Sequence, residues 1–387
     1  MAAGAPAGPR RPGPLARRLP LLALAVVALL AGLWAGLLRL GFDLPALRPG
    51  LAADHGILLV LGFLGVQIGL ERAVALGRSW TYLAPAAAGA GAAWLILGLP
   101  STGGRILFVI GGAVLTAVFV AVHRIQPSRH NLIMGLGAAA WLAGAAIWLG
   151  DGAITAVVPW LAAFLVLTIV GERLELSRMA RPPEYATGLL LVLVAVFLAG
   201  VVLASAGAPD LGIRLAGAGL LGQALWLARY DVARRTIRTP GPTRYMATAL
   251  IAGYFWLAVA GVVWIADGAL AGGGFAYDAM VHAIFVGFVF SMIFAHAPVI
   301  VPSVLGVALP FRPSFYLPLG LLHLGLAVRL LGDAAGSVEA WRWGGALNEL
   351  AIVCFLALAA ASAIRARRAA SPGAAPVSSA RPAGSVR

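Results

Sequence analysis

The chain has 387 residues, of which 61% are hydrophobic and only 11% are charged. A soluble fold of this length cannot bury so large an apolar fraction, so the composition excludes a water-soluble globular protein and predicts an integral membrane protein. The net charge of +14 does not indicate nucleic-acid binding, because the arginines lie in the tails and between apolar segments. The single cysteine, Cys354, excludes an internal disulfide and any multi-cysteine metal site.

A basic segment precedes the first apolar run. Residues 1–18 are rich in Pro, Gly and Arg, a composition typical of disorder, and residues 367–387 are similar. The run that begins near Leu19 is longer than a signal-peptide core and lacks a small-residue cleavage site, so we expect a retained span. The sequence thus predicts a transmembrane helical domain at 19–366 between two disordered tails.

Twelve apolar segments follow one another along the chain, each of about 20 residues, the length that crosses a bilayer as a helix. They are too long for barrel strands, and a chain in hydrocarbon must satisfy its own backbone hydrogen bonds. We therefore expect an all-α, polytopic helix bundle in the lipid bilayer. The segments lie at about residues 19–38, 55–71, 80–99, 105–123, 131–149, 152–171, 185–206, 210–228, 245–266, 277–297, 315–331 and 345–364.

The distribution of arginine predicts the topology. If the N-terminus lies in the cytoplasm, 22 arginines fall on the inner side of the membrane and 6 on the outer side. Basic residues collect in cytoplasmic loops. We therefore expect both termini to be cytoplasmic.

A Glu-Arg pair ends both the second and the sixth predicted spans, in the stretches LERAVALGR and GERLELSR. Each pair falls where an outside-to-inside helix meets the cytoplasm. The repetition indicates either a trace of internal duplication or two interfacial ion pairs with snorkelling arginines.

Four of the six histidines lie in or at the ends of predicted spans, where ionisable side chains are costly and usually face the bundle interior. His55 opens the second span, His282 and His296 lie near opposite ends of the tenth, and His323 lies in the eleventh. Fourteen α-helical residues rotate to within about 40° of four full turns, so we expect His282 and His296 on one face. Depth pairs His55 with His282 near the outer surface. Near the inner surface, His130 or His323 is the expected partner of His296.

Imidazole is a common axial ligand of haem iron and a common copper ligand, so histidines at matched depths predict a haem or metal site. The alternative is a set of interhelical hydrogen bonds, each worth about 1 kcal/mol. The candidate cofactor ligands are His55, His282, His296 and His323. The candidate metal ligands are His55, His282, His296 and His130.

The tenth span ends in an unusual stretch, HAPVIVPSVLG. Proline at position 298 lacks a backbone donor and disfavours helix at the preceding residue, so we expect the helix to kink or end near Pro298. A broken helix at membrane depth often borders a cofactor or substrate cavity. An ordinary helix end is the alternative interpretation.

Three acidic residues are candidates for a proton relay or for orienting a ligand. Asp278 lies one turn before His282, where it could orient the imidazole or cap the helix. Asp54, beside the first candidate histidine, has the same two interpretations. Glu349 lies inside the twelfth span, where a proton-relay role and a plain interhelical hydrogen bond are both open. Arg329 is its expected charge partner.

Two stretches, HGILLVLGFLG at His55 and HAIFVGFVFSM at His282, resemble motifs of the NnrS family of bacterial membrane proteins. That family is polytopic, is described as containing haem and copper, and is linked to nitric oxide stress and denitrification. The resemblance implies haem or copper ligation at His55 and His282, and less directly at His296. It also implies a place in the bacterial cytoplasmic membrane.

The chain departs from the family pattern at two places. Asp54-His55-Gly56 stands where the family has His-x-His-Glu, and AHAPVIVPSVLG replaces its Gly-His-Thr-Gly-Arg stretch. Histidines in the second and tenth of twelve spans also resemble the catalytic subunit of haem–copper oxidases. The adjacent His-His pair of that copper centre is missing, which argues against a respiratory oxidase.

Three functions are compatible with these residues. The first is a haem- or metal-binding membrane protein of nitrogen-oxide or redox metabolism, with a redox partner or a small gaseous ligand. The second is a proton-coupled secondary transporter, in which Glu349 and the helix break at Pro298 form the substrate path. The third is a membrane protein whose histidines are purely structural.

Overall fold

The computed structural model describes residues 14–269 and 274–370, and within these residues all regular secondary structure is helical. Twelve long helices follow one another, which confirms the predicted all-α class. Two of them, α2 and α10, contain several helical geometries in succession. The helices are α1 (Pro14–Arg39), α2 (Leu51–Leu76), α3 (Leu83–Ile96), α4 (Ser101–Ile125), α5 (Arg129–Leu149), α6 (Ile154–Ser177), α7 (Glu184–Ser205), α8 (Pro209–Tyr230), α9 (Pro242–Asp267), α10 (275–305), α11 (Tyr316–Ala335) and α12 (Val338–Ala370).

Eleven helices in the described part of the chain are long and apolar enough to cross a membrane, so the chain is a multi-pass membrane protein. The exception is α3, which has 14 residues. At about 1.5 Å per residue it is shorter than the roughly 30 Å hydrocarbon layer. The predicted span at 80–99 instead begins with a 3₁₀ turn at Ser79–Tyr82, and the chain leaves the helix through Gly98 at φ 72°.

The ends of the bundle differ from the predicted domain boundaries. Helix α1 begins at Pro14, inside the segment 1–18 that the composition predicts as a tail, and α12 continues to Ala370. The remainder of the two predicted tails, 1–13 and 371–387, lies outside the described residues.

Consecutive helices pack as antiparallel neighbours, most extensively α11 with α12, α5 with α6 and α7 with α8. Small residues permit the closest approach. A Cβ atom on Gly200 of α7 would lie 2.6 Å from the carbonyl oxygen of Gly212 on α8, so any side chain there would force the helices apart. Large buried side chains fill the remaining space, with the rings of Trp141 and Phe164 joining α5 to α6 at a centroid distance of 5.1 Å.

Helix α10 does not end at Pro298. It runs through Pro298 and Pro302 and stops only before Gly306, at φ 64°. Each proline removes a single backbone donor, a loss that transmembrane helices tolerate when neighbouring helices support the segment. The helix therefore does not end at Pro298, and the sequence after His296 belongs to it. The other expected outcome, a kink at Pro298, stays a prediction.

Candidate functional site

The backbone is unusual directly after two of the candidate histidines. His55 in α2 is followed by a π-helical segment at Leu58–Leu64, and His282 in α10 is followed by another at Ala283–Phe290. π-Helical geometry is rare and occurs frequently at functional sites. The first segment packs against α1 and the second against α9. Both histidines line the same cavities, so this wide geometry adjoins a single site.

Hydrogen bonds fix the orientation of both imidazoles. Nδ1 of His55 lies 2.7 Å from the carbonyl oxygen of Gly32 on α1, and Nδ1 of His282 lies 2.8 Å from that of Asp278. A carbonyl oxygen can only accept, so we assign the ring hydrogen to Nδ1 in both residues. The lone pair of Nε2 is then free in a neutral ring, and no described residue hydrogen-bonds to either Nε2. This is the arrangement in which protein histidines bind metals.

A polar cavity of about 200 Å³ lies between α1, α2, α10, α11 and α12, at the predicted outer end of the bundle. His55 and His282 line it from two sides. Its remaining polar lining comes from Arg39, Asp278, Arg329, Asn348 and Glu349. Five helices therefore bring imidazole, carboxylate, amide and guanidinium groups to one chamber.

Asp278 and Arg329 form the charged centre of this cavity. Nε and Nη2 of Arg329 each donate to a carboxylate oxygen of Asp278, both at 2.6 Å. Oδ1 of Asp278 is also 3.3 Å from Nδ1 of His282. Arg329 was the expected partner of Glu349, and that prediction is wrong, because its hydrogen bonds go to Asp278. The carboxylate thus holds both a guanidinium and an imidazole in place.

Glycine on α1 makes room for the cluster, a feature that the sequence reasoning missed. A Cβ atom on Gly36 would collide with the Glu349 carboxyl group and lie 2.8 Å from Cε1 of His55. One turn earlier, Gly32 supplies the carbonyl that binds His55. The available signal was the Gly-x-x-x-Gly spacing of these two residues, which is typical of close helix packing in membranes.

An adjoining cavity of about 410 Å³ is mostly apolar. It shares eight residues with the polar cavity, and the ionisable ones among them are His55, His282, Asp278 and Arg39. Its apolar walls come from α2, α6 and α10 and include Leu59, Val60, Val158, Leu161, Phe285 and Phe290. Its volume falls within the range of about 300–1,000 Å³ that is usual for ligand pockets. The two imidazoles therefore stand between a polar chamber and an apolar one.

Asp54 does not contribute to the cavity. Its carboxylate forms an ion pair with Arg48 in the loop before α2. The imidazole that follows it, His55, is instead oriented by the carbonyl of Gly32 on another helix.

His296 belongs to a separate cluster at the predicted inner end. Its Nδ1 lies 2.8 Å from the carbonyl oxygen of Met292, and its Nε2 lies 3.4 Å from Nη1 of Arg173. Arg173 is itself paired with Asp231 at 2.7 and 2.8 Å, and both side chains are buried. The expected shared face with His282 assumed 3.6 residues per turn, whereas an eight-residue π-helical segment separates the two histidines.

The two remaining candidate histidines, His323 and His130, contact protein groups away from the cavity. Trp256 Nε1 donates to Nδ1 of His323 at 2.9 Å, which joins α9 to α11. His130 lies 3.1 Å from the Ser128 hydroxyl and 3.9 Å from a carboxylate oxygen of Glu175. The expected inner pairing of His296 with His130 or His323 is not formed. Within 14–269 and 274–370, no group of three or more His, Cys, Asp or Glu side chains is arranged to hold a metal ion.

The two Glu-Arg pairs meet at the inner end. Nη2 of Arg72 donates to Glu172 at 2.6 Å and to Glu71 at 3.0 Å. The contact is not reciprocal, because Arg173 pairs with Asp231. Arg72 therefore links α2 to α6 by an ion pair, whereas Arg173 is buried and does not snorkel to the membrane surface. Both interpretations of the repeated dipeptide stay predictions.

The fold and this site together define a multi-pass helical membrane protein with a buried polar cavity between its helices. The chain belongs to the family described as Domain of unknown function (DUF8744), whose sequence model matches residues 18–364. No curated protein matches the chain. No solved structure matches it either.

Proposed function

We propose that the chain is an integral membrane protein that binds haem or a metal ion through His55 and His282 and acts in nitrogen-oxide or redox metabolism. The observation that carries this proposal is the pair of imidazoles with Nδ1 bound to carbonyl oxygens and Nε2 free in a common cavity. The resemblance of the two histidine stretches to the NnrS family supports it independently.

The donor set favours haem over a metal ion held by protein ligands alone. Haem needs few ligands from the protein, and the imidazoles of His55 and His282 would supply them. A copper ion is the second group that this pair could help to hold, and among the described residues no third side chain completes such a site. Haem held by both imidazoles would supply one-electron redox chemistry.

Residues of the chain would perform three tasks around this group. Nε2 of His55 and Nε2 of His282 would hold it, and the carbonyls of Gly32 and Asp278 keep both rings in the required tautomer. Arg329 keeps Asp278 in place. The apolar walls of the larger cavity exclude water from the bound group.

We propose twelve spans, the third formed by α3 together with the 3₁₀ turn Ser79–Tyr82 before it, with both termini in the cytoplasm of a bacterium and the chain in its inner membrane. Support comes from the 22 to 6 distribution of arginines and from the twelve helices in the predicted order. In this topology the histidine cavity opens toward the outer face.

The test is a reduced-minus-oxidised absorption spectrum of the detergent-purified protein, with metal analysis. The expected result is a Soret band and bound iron in the wild-type protein, both lost in His55→Ala and in His282→Ala. The control is His323→Ala, which removes a half-buried imidazole outside the cavity. A colourless, metal-free protein from haem-replete cells would contradict the proposal.

The second candidate function is proton-coupled transport, and the position of Glu349 favours it. Its carboxyl group lines the polar cavity and forms no hydrogen bond or ion pair with any described residue. An acid within a transmembrane helix that has no fixed partner is typical of proton pathways in membrane proteins. Proton uptake by proteoliposomes, followed with a trapped pH-sensitive dye, would then be lost in Glu349→Gln.

A further inference from the structure

Asp333, near the end of α11, is a buried acid for which neither proposed function has a use. It is only 8% exposed, and neither of its carboxylate oxygens has a hydrogen-bond donor within the described residues. It lies one helical turn after Arg329, and its carboxyl group is within hydrogen-bonding reach of the carboxyl group of Asp278. Two carboxyl groups thus meet beside the polar cavity.

The donors near this pair are already bound to Asp278. Arg329 gives it two N–H groups at 2.6 Å, and the ring N–H of His282 lies 3.3 Å from it. Asp333 receives none of them. A buried carboxylate without donors is strongly disfavoured, and two adjacent carboxylates cannot both remain ionised at low dielectric.

Protonation of one of the two carboxyl groups removes this unfavourable contact between two carboxylates. Two carboxylates are both acceptors and cannot bind each other. If Asp333 is protonated, its O–H donates to an oxygen of Asp278, and both groups are satisfied. The proton belongs on Asp333 because Asp278 is the member stabilised as an anion by Arg329.

We propose that Asp333 is a proton-binding site, in which the carboxyl group is protonated in the folded protein and donates its hydrogen to Asp278. The ligand of this site is a proton, and the inference holds whichever group the histidine cavity binds. Residues 334–336, which follow it at the end of α11, are exposed. The site therefore lies between the polar cavity and the end of the bundle, where a proton can enter from water.

The charged groups around Asp333 come from two helices. They are Asp278 on α10 and Arg329 on its own helix, and the guanidinium of Arg329 is occupied by Asp278. Helix α12 packs here through Ala340 and Trp341 against Gly332, and its acid in this turn, Glu339, is exposed. The guanidinium one turn before Asp333 is thus already bound to Asp278.

Infrared spectroscopy of the purified full-length protein at neutral pH tests the site without any cofactor or substrate. Aspartate labelled with ¹³C at its carboxyl carbon assigns the bands. The expected spectrum contains one carboxylic-acid C=O band that shifts with the ¹³C label and on exchange into D₂O. That band should be lost in Asp333→Asn, because asparagine has no carboxylic acid group. The asparagine amide can still donate to Asp278, so the contact between the two side chains is kept.

The matched control is Asp267→Asn, which removes an exposed aspartate at the same predicted end of the bundle and should leave the band unchanged. Absence of a labelled carboxylic-acid band in the wild-type protein would overturn the proposal. Persistence of the band in a folded Asp333→Asn protein would also overturn it. If that variant does not fold, Asp333→Glu is measured instead, and the ¹³C-aspartate band must again disappear.

Discussion

The Nδ1 hydrogen of His55 is donated to the carbonyl oxygen of Gly32 at 2.7 Å, from the start of α2 to the middle of α1. This bond sets the tautomer of the imidazole and turns Nε2 toward the cavity. It also depends on the close approach of α1, which the absence of side chains at Gly32 and Gly36 permits. The orientation of the candidate ligand and the packing of the first helix are therefore one feature.

Enlarging Gly36 should damage the site directly. We expect Gly36→Leu to displace Glu349 and His55, to destabilise the protein by about 1–3 kcal/mol as overpacked cores are, and to abolish binding of any group held by His55. Thermal melting in detergent, together with the absorption spectrum, measures both effects. The matched control is Gly56→Ala, because a Cβ atom there meets nothing within 4 Å. Wild-type melting of Gly36→Leu would show that α1 does not pack as described.

Removing Arg329 alone from the ion pair in the cavity should destabilise the protein more than removing both members of the pair. Arg329→Met leaves Asp278 as a buried, uncompensated carboxylate, a change that costs about 3–5 kcal/mol in comparable buried pairs. The double variant Arg329→Met with Asp278→Asn removes both charges and should recover part of the loss. The melting temperatures of the single and double variants measure this coupling.

Removing the exposed pair on α8 provides the comparison for that experiment. Arg214 and Asp210 lie 40% and 61% exposed, so Arg214→Met should change the melting temperature far less than Arg329→Met. Equal decreases in melting temperature in Arg214→Met and Arg329→Met would contradict the buried role assigned to Arg329.

His296 and His323 should prove dispensable for binding at the cavity. Arg173 faces Nε2 of His296, and Trp256 donates to His323, so neither imidazole reaches the chamber that His55 lines. We expect His296→Ala and His323→Ala to retain the full cofactor content of the wild-type protein. Loss of the spectrum in either variant, with unchanged melting, would place a ligand outside the cavity.

The proposed topology can be tested with single cysteines in a Cys354→Ser background. Position 206 follows α7 at the predicted outer side, and position 239 lies between α8 and α9 at the predicted inner side, and both are exposed. A membrane-impermeant maleimide added to intact cells should label Ala206→Cys and leave Thr239→Cys unlabelled until the cells are lysed. The reverse labelling pattern would show that the bundle has the opposite orientation in the membrane.

Hydropathy predicted the order of the helices and the depth of each polar residue, but it could not predict which neighbours they face. Spacing alone placed Asp278 on the face of His282, and the two lie 3.3 Å apart. The partner of Arg329 was wrong because a sequence gives position along a helix axis but not the rotation of one helix against another. For the same reason, the pairing of His296 with Arg173 had no signal in the sequence.

Two features of the backbone were also beyond sequence reasoning. The stretch 80–99 is apolar enough for a span, yet its regular α-helix ends after 14 residues, since hydropathy does not register a turn at Gly98. The π-helical segments after His55 and His282 are as apolar as the residues around them, so a hydrophobicity pattern does not distinguish them from ordinary α-helix.

The π-helical segment Ala283–Phe290 makes α10 sensitive to insertions and deletions. Such segments accommodate surplus residues within an otherwise regular helix. Deletion of one residue there would rotate all the side chains that follow in α10 by about 100° about the helix axis, relative to His282. Related chains that lack a residue between positions 283 and 290 should therefore retain either the cluster at His282 or the cluster at His296, and lose the other. The cluster that such chains retain is the indispensable one.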